Sequence, residues 1–187
     1  MRFFTLILTL TLFTAGAEDK KSEAIKVSFS LLKDFKLPIR DQTYAEKEEL
    51  KALIKGVPKE VLELNGKRIK IAGFMVPLAL DKKSKVPLFL LAPDTTSCCY
   101  GAVPNLNGFI YCSGKIGFDY KNDHPIEVTG KIITKPYYDK NEQCVLMYKM
   151  IPESVKVLKV MPKDLKENLK KASKGRAVKK EPAKNKK

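Results

Sequence analysis

Ile69-Lys70-Ile71-Ala72-Gly73-Phe74 and Ile126-Glu127-Val128-Thr129-Gly130-Lys131 share one local form: apolar and polar residues alternate, and a glycine stands inside the run. Alternation with a period of two is the mark of a half-buried strand. A glycine inside a strand marks a bend or bulge, and small barrels need such bends to close. Two bent strands flanked by others predict a mainly β chain built on a small OB-like barrel of five to six strands with short flanking helices. The alternative is an open sandwich of the same strands.

The neighbouring segments fit that plan. Asn65-Gly66 is a turn dipeptide ahead of the first run. In Lys67–Val76, Ile69, Ile71, Gly73 and Met75 point one way and Arg68, Lys70, Ala72, Phe74 and Val76 the other. Asp81–Lys85 is a polar turn, Val86–Ala92 is apolar on both faces, and Gly108–Ser113 is aromatic and β-branched. Val145–Ile151 and Val155–Val160 read as the closing strands. In an OB barrel the third and fifth strands are neighbours, so Gly108–Ser113 and Val145–Ile151 are expected side by side.

Upstream, Ile25–Leu31 alternates and reads as a strand. Tyr44–Lys55 is rich in strong helix formers and places Leu50, Leu53 and Ile54 on one face, with Gly56 just past the end and Pro58 barring continuation. Downstream, Pro162–Leu169 reads as a short helix, Leu165 and Leu169 sharing a face.

Both ends are set apart by composition. Met1-Arg2, the apolar run Phe3–Phe13 and Ala15-Gly16-Ala17 match a secretory signal peptide cleaved after Ala17. The run is too short for a spanning helix before Glu18-Asp19-Lys20-Lys21 begins. The expected organisation is a leader at 1–17, one mainly β domain at 18–162, and a short helix with a basic tail at 163–187. That places the protein in the periplasm or at the cell surface. The 187-residue chain carries a formal charge of +15, and 163–187 holds ten Lys and one Arg against one Asp and two Glu, net +8. Lys174–Lys187 lacks the apolar residues to offset its ordering entropy and is expected to be disordered. A tail of this kind grips anionic lipid headgroups by charge alone; the plainer reading is a solvated tail. Nucleic acid is not an expected partner, because export removes the chain from it and no aromatics interleave with the basic residues.

The residues that could carry chemistry are Cys98, Cys99, Cys112 and Cys144. Two of them stand in Ser97-Cys98-Cys99-Tyr100-Gly101-Ala102-Val103-Pro104-Asn105-Leu106-Asn107, a loop between two apolar strands. An even cysteine count in an exported chain points to disulfides. A Cys98–Cys99 bond is strained, which leaves one or both of the vicinal pair bonded to Cys112 and Cys144, or free; if the barrel sets their strands side by side, a link between Cys112 and Cys144 is within reach as well. Adjacent residues point to opposite faces at a strand end, so one of Cys98 and Cys99 is expected inward and structural, the other outward and reactive. The sharper reading is a metal centre of Cys98, Cys99, Cys112 and Cys144, whose thiolates favour zinc or copper. Against it, no Cys-x-x-Cys occurs and the single histidine, His124, stands alone in a polar loop. The phosphate-binding, zinc-protease and nucleophile-elbow patterns are absent from the chain.

The stretch Leu64-Asn65-Gly66-Lys67-Arg68-Ile69-Lys70-Ile71-Ala72-Gly73-Phe74-Met75-Val76-Pro77-Leu78 resembles the opening of the DUF3299 domain, a family of exported bacterial proteins. Phe89-Leu90-Leu91 and the cysteine loop after it resemble the family too, so the likeness covers about Leu64–Ile133. Many members carry Cys-Ile-His, a proline run and Asn-Gln. On that pattern Cys98 takes the cysteine place, Tyr100 the histidine place, Pro104 falls in the proline run, and Asn107 keeps the spacing. Other members have a Cys-Cys-Phe-Gly loop, closer to Cys98-Cys99-Tyr100-Gly101. The resemblance implies a link to envelope transport components and to metals, but the histidine of a Cys–His metal site is missing here. The expectation is a non-enzymatic binding or accessory module whose binding loop is Cys98, Cys99, Tyr100, Pro104 and Asn107. The alternatives are a thiol-dependent redox enzyme using Cys98 or Cys99 and a structural envelope protein with every cysteine in a disulfide.

Overall fold

The computed structural model describes residues 23–95, 105–121 and 124–178. The expected leader, 1–17, lies outside them, as do 179–187. In chain order the elements are β1 (Ile25–Val27), α1 (Phe29–Lys33), a 3-10 turn at Lys47–Glu49, α2 (Leu50–Lys55), α3 (Lys59–Leu62), β2 (Arg68–Ala79), β3 (Lys85–Ala92), β4 (Ile110–Asp119), β5 (Ile126–Ile133), β6 (Tyr137–Tyr138), β7 (Cys144–Leu146), β8 (Lys149–Val157) and α4 (Lys163–Val178).

Five strands close a barrel in the order β2-β3-β4-β8-β5 and back to β2, the Greek-key arrangement of an OB fold. The two glycine-bearing runs are each other's partners in the closing ladder: Ile69 lies opposite Gly130 and Gly73 opposite Ile126. That ladder excludes the open sandwich. Both glycines mark close approaches. A Cβ on Gly73 would lie 2.7 Å from Ala92 O, and one on Gly130 would run into Ile151 O. Pro77, Pro87 and Pro152 all sit inside barrel strands, and each falls at a register shift. Proline donates no ladder hydrogen bond, so a bulge is where a strand accommodates it.

Ile69, Ile71, Val86, Phe89, Leu91, Ile110, Cys112, Ile126, Val128 and Ile132 fill the barrel and have essentially no exposed surface. Each large side chain among them contributes about 1.5–3 kcal/mol by leaving water. A second group plugs the end where β2, β4 and β8 begin and β5 ends: Phe29, Leu32, Leu37, Leu53, Val61, Leu106 and Tyr148. There Tyr148 is wholly buried, and its hydroxyl donates to Leu32 O at 2.8 Å. Gln42 ties the chain over this plug, donating to Leu37 O and Ile39 O at 3.0 Å each.

Four expectations need correction. The strand at Ile25–Leu31 stops at Val27, because Ser28 caps α1 through its hydroxyl. The helix expected over Tyr44–Lys55 begins only at the 3-10 turn, because Ala45 is held in a backbone bridge to Cys144 with hydrogen bonds of 3.0 and 2.8 Å. The helix at Pro162 does not end near Leu169 but runs to Val178, so the first part of the segment expected to be disordered is helical.

The fourth correction concerns the fifth barrel strand. It begins at Lys149, not Val145, and continues unbroken to Val157. Cys112 therefore faces Met150 across the parallel β4–β8 pair, while Cys144 stands in β7 opposite Tyr138. Both are free thiols, and the expected cross-link between them is not formed. At about 3.3 Å per residue, the later start of β8 carries Cys144 away from Cys112. Among the described residues no helix is long and apolar enough to cross a membrane.

Candidate functional site

The β3–β4 connection carries the vicinal cysteines. Cys98, Cys99, Tyr100 and Pro104 lie outside the described residues; both feet of the loop lie within them. The C-terminal foot is anchored in the plug. Leu106 has no exposed surface, donates its N–H to Gln42 O at 2.7 Å and accepts from Met147 N at 3.1 Å. Asn107 is 1% exposed, and its side-chain amide donates to Phe35 O at 3.0 Å and Lys33 O at 3.4 Å, at the end of α1. Unpaired carbonyls end every helix, and Asn107 satisfies that of Lys33 together with the Phe35 carbonyl just past the helix. The residue singled out by its spacing from Cys98 thus pins the loop and turns its polar atoms inward. At the other foot, Thr95 borders Leu169, Lys170, Ala172 and Ser173 of α4.

The two remaining thiols are removed from solvent. Burial pushes the Cys112 thiol far above its ordinary pKa. Burial also raises that of Cys144, against hydrogen bonds with the Leu146 and Tyr137 backbone. Neither presents a thiolate, the form that ligates metal or attacks as a nucleophile. Cys112 in β4 stands opposite Met150 and Cys144 in β7 opposite Tyr138, so the strand pairing does not set the two against each other. Among the described residues no three of His, Cys, Asp or Glu converge as metal ligands. His124 is exposed in the β4–β5 connection.

A cluster that sequence reasoning missed lies at the same end of the barrel. The Tyr111 and Tyr137 rings stack at 6.4 Å between centroids and 13° between planes. Lys149 Nζ sits 3.2 Å from the Tyr137 ring centroid and 5.8 Å from that of Tyr111, an ammonium held over aromatic faces. Partial burial lowers its pKa. These residues meet only because β4 and β8 pair in parallel, with Tyr111 opposite Lys149. The one local signal was the pair Tyr137-Tyr138 after Pro136, in a connection otherwise polar.

Among curated proteins, none matches the chain. A solved structure, the crystal structure of a DUF3299 family protein from Pseudomonas aeruginosa PAO1, is similar at 19% sequence identity with a TM-score of 0.48, covering 75% of this chain and all of that one. The family model described as "Protein of unknown function (DUF3299)" matches residues 14–157, a wider span than the Leu64–Ile133 resemblance and well over half of the sequence, and the chain belongs to that family.

Proposed function

We propose that the protein is an exported, non-enzymatic binding module of the periplasm or cell surface, and that its working surface is the Cys98–Asn107 loop. One observation carries this reading: the foot at Leu106 and Asn107 is fully buried and hydrogen-bonded to the plug. A loop held by a rigid scaffold is the arrangement binding sites use. The ligand class the residues suit is a soft metal ion. With Cys112 and Cys144 buried as neutral thiols, Cys98 and Cys99 are the thiols left to a ligand. Two thiolates fall short of the four-ligand shell of structural zinc, and soft sulfur donors select Cu(I).

Thiol counting on the native protein tests this. Two of the four cysteines are expected to label at neutral pH, the other two only after unfolding. With Cys112 and Cys144 both free, neither is a disulfide partner for an inward member of the pair, so in place of the division of labour expected from the sequence, Cys98→Ser and Cys99→Ser should each remove one label and abolish Cu(I) uptake, with Tm shifted by less than the equivalent of about 1 kcal/mol. No label in the native state would mean that the loop thiols are bonded and structural. A single thiol labelling well below neutral pH would mark a nucleophile and an enzyme. The export part is checked separately: N-terminal sequencing of the envelope fraction should begin at Glu18, and an intact Phe3–Phe13 in that fraction would contradict it.

A further inference from the structure

We infer that α4 docks the protein on an anionic lipid surface through a stripe of lysines. The helix is two-faced. Leu165 and Asn168 are buried against the protein, and Leu169 and Ala172 are half-buried on the same side. The outward side presents Lys163, Lys166 and Lys170, all exposed, at the i, i+3, i+4 spacing that lines residues along one face. Lys174 follows at the next register position. Lys171 lies 3.9 Å from Asp34, which caps the C-terminal end of α1, on the side of the helix turned to the domain. Among the described residues, Lys163, Lys166 and Lys170 have no ion pair with a carboxylate. Glu167, also exposed, stands on the same side, so these four side chains carry a net charge of +2, which an anionic surface attracts.

The composition selects among anionic partners. Single-stranded nucleic acid is held by stacking on aromatics, and 163–187 contains none. A protein partner needs an apolar centre to its interface, and over Lys163–Ser173 the outward side of α4 presents no large apolar side chain. A bilayer surface asks only for charge at a plane, and a straight helix of this length, roughly 1.5 Å per residue, lays its lysines along one. The strongly basic sequence beyond it, with Lys179, Lys180, Lys184, Lys186 and Lys187, adds to the same attraction. This inference stands apart from the thiol chemistry: it rests on α4 alone.

The test is sedimentation of the mature protein with phosphatidylcholine vesicles, with and without phosphatidylglycerol. Partition is expected only on the phosphatidylglycerol vesicles and should fall as salt is added. Each lysine near the surface contributes about fivefold to the partition coefficient. Lys166→Gln with Lys170→Gln should therefore lower it roughly 25-fold with Tm unchanged, both side chains being exposed. Three results would overturn the inference: no partition on anionic vesicles; full partition of the double variant with loss only on deleting 179–187, which would assign the contact to the tail; or capture by soluble heparin without capture by vesicles.

Discussion

Gly130→Ala is expected to lower stability by roughly 3 kcal/mol, which for a chain of this size lowers Tm by about 10 °C. The added methyl would run into Ile151 O and lie 2.9 Å from Pro152 Cα and 3.0 Å from Ile151 C. All three are backbone atoms, so no side chain can rotate away. β8 must move as a strand. It is paired with β5 from Ile126 to Ile133, and with β4 at Tyr111 and Cys112. The shift therefore spreads to both neighbours. Gly66→Ala provides the comparison. Its φ of +78° is strained for alanine, yet the nearest atom to a new Cβ is Lys131 Cε at 3.8 Å, and nothing crowds it. That change should cost about 1–2 kcal/mol, the penalty of a left-handed residue alone. Chemical denaturation of both variants gives the ranking, and equal losses would contradict the close-approach role of Gly130.

Asn107→Ala is expected to cost about 2–4 kcal/mol, because the carbonyls of Lys33 and Phe35 lose their donor in a buried place. The consequence reaches the loop: with its pin gone, Cu(I) uptake at Cys98 and Cys99 should weaken alongside stability. Asn107→Asp sharpens the test by its pH dependence. A carboxylate there would face two carbonyl oxygens, so its folded pKa would rise above the unfolded value near 4. The variant should then lose stability as pH rises from about 4 toward the raised folded value and recover part of it in acid, where the protonated group can donate again. Wild-type protein, with an amide at this position, lacks that term. A Tm difference between variant and wild type that stays constant from pH 4 to 7 would contradict the orientation of the side chain.

The barrel was legible because its deciding strands announce themselves locally. Alternation in Lys67–Val76 and Ile126–Ile132, each with a glycine, was enough to predict closure. The fifth strand was misplaced for an equally local reason. Val145-Leu146-Met147-Tyr148-Lys149-Met150-Ile151 is an almost unbroken apolar run, and nothing in its period separates β7, the connection and β8. Pro152-Glu153-Ser154 then looks like a terminator, whereas it is the bulge opposite Thr129 and Gly130. The later helix start, at Lys47, was hidden because the competing bond between Ala45 and Cys144 joins residues distant in sequence. The loop around Cys98 stood out by composition, and Asn107 by spacing. Which way Asn107 turns depends on α1, more than seventy residues away, and no local pattern records that. The Tyr111–Tyr137–Lys149 cluster is likewise a product of topology.

The strand order also sets the time at which the domain can become itself. β8 is the last barrel strand in the chain, yet it sits between β4 and β5. Until β8 has emerged, the edge of β4 at Tyr111 and Cys112 and the edge of β5 over Ile126–Ile133 both stand unpaired. Such edges are templates for another chain. Contacts this distant in sequence place folding on a millisecond-to-second scale. A nascent chain that stops before Lys149 is an open sheet with two adhesive borders, and the insertion of one strand removes both at once.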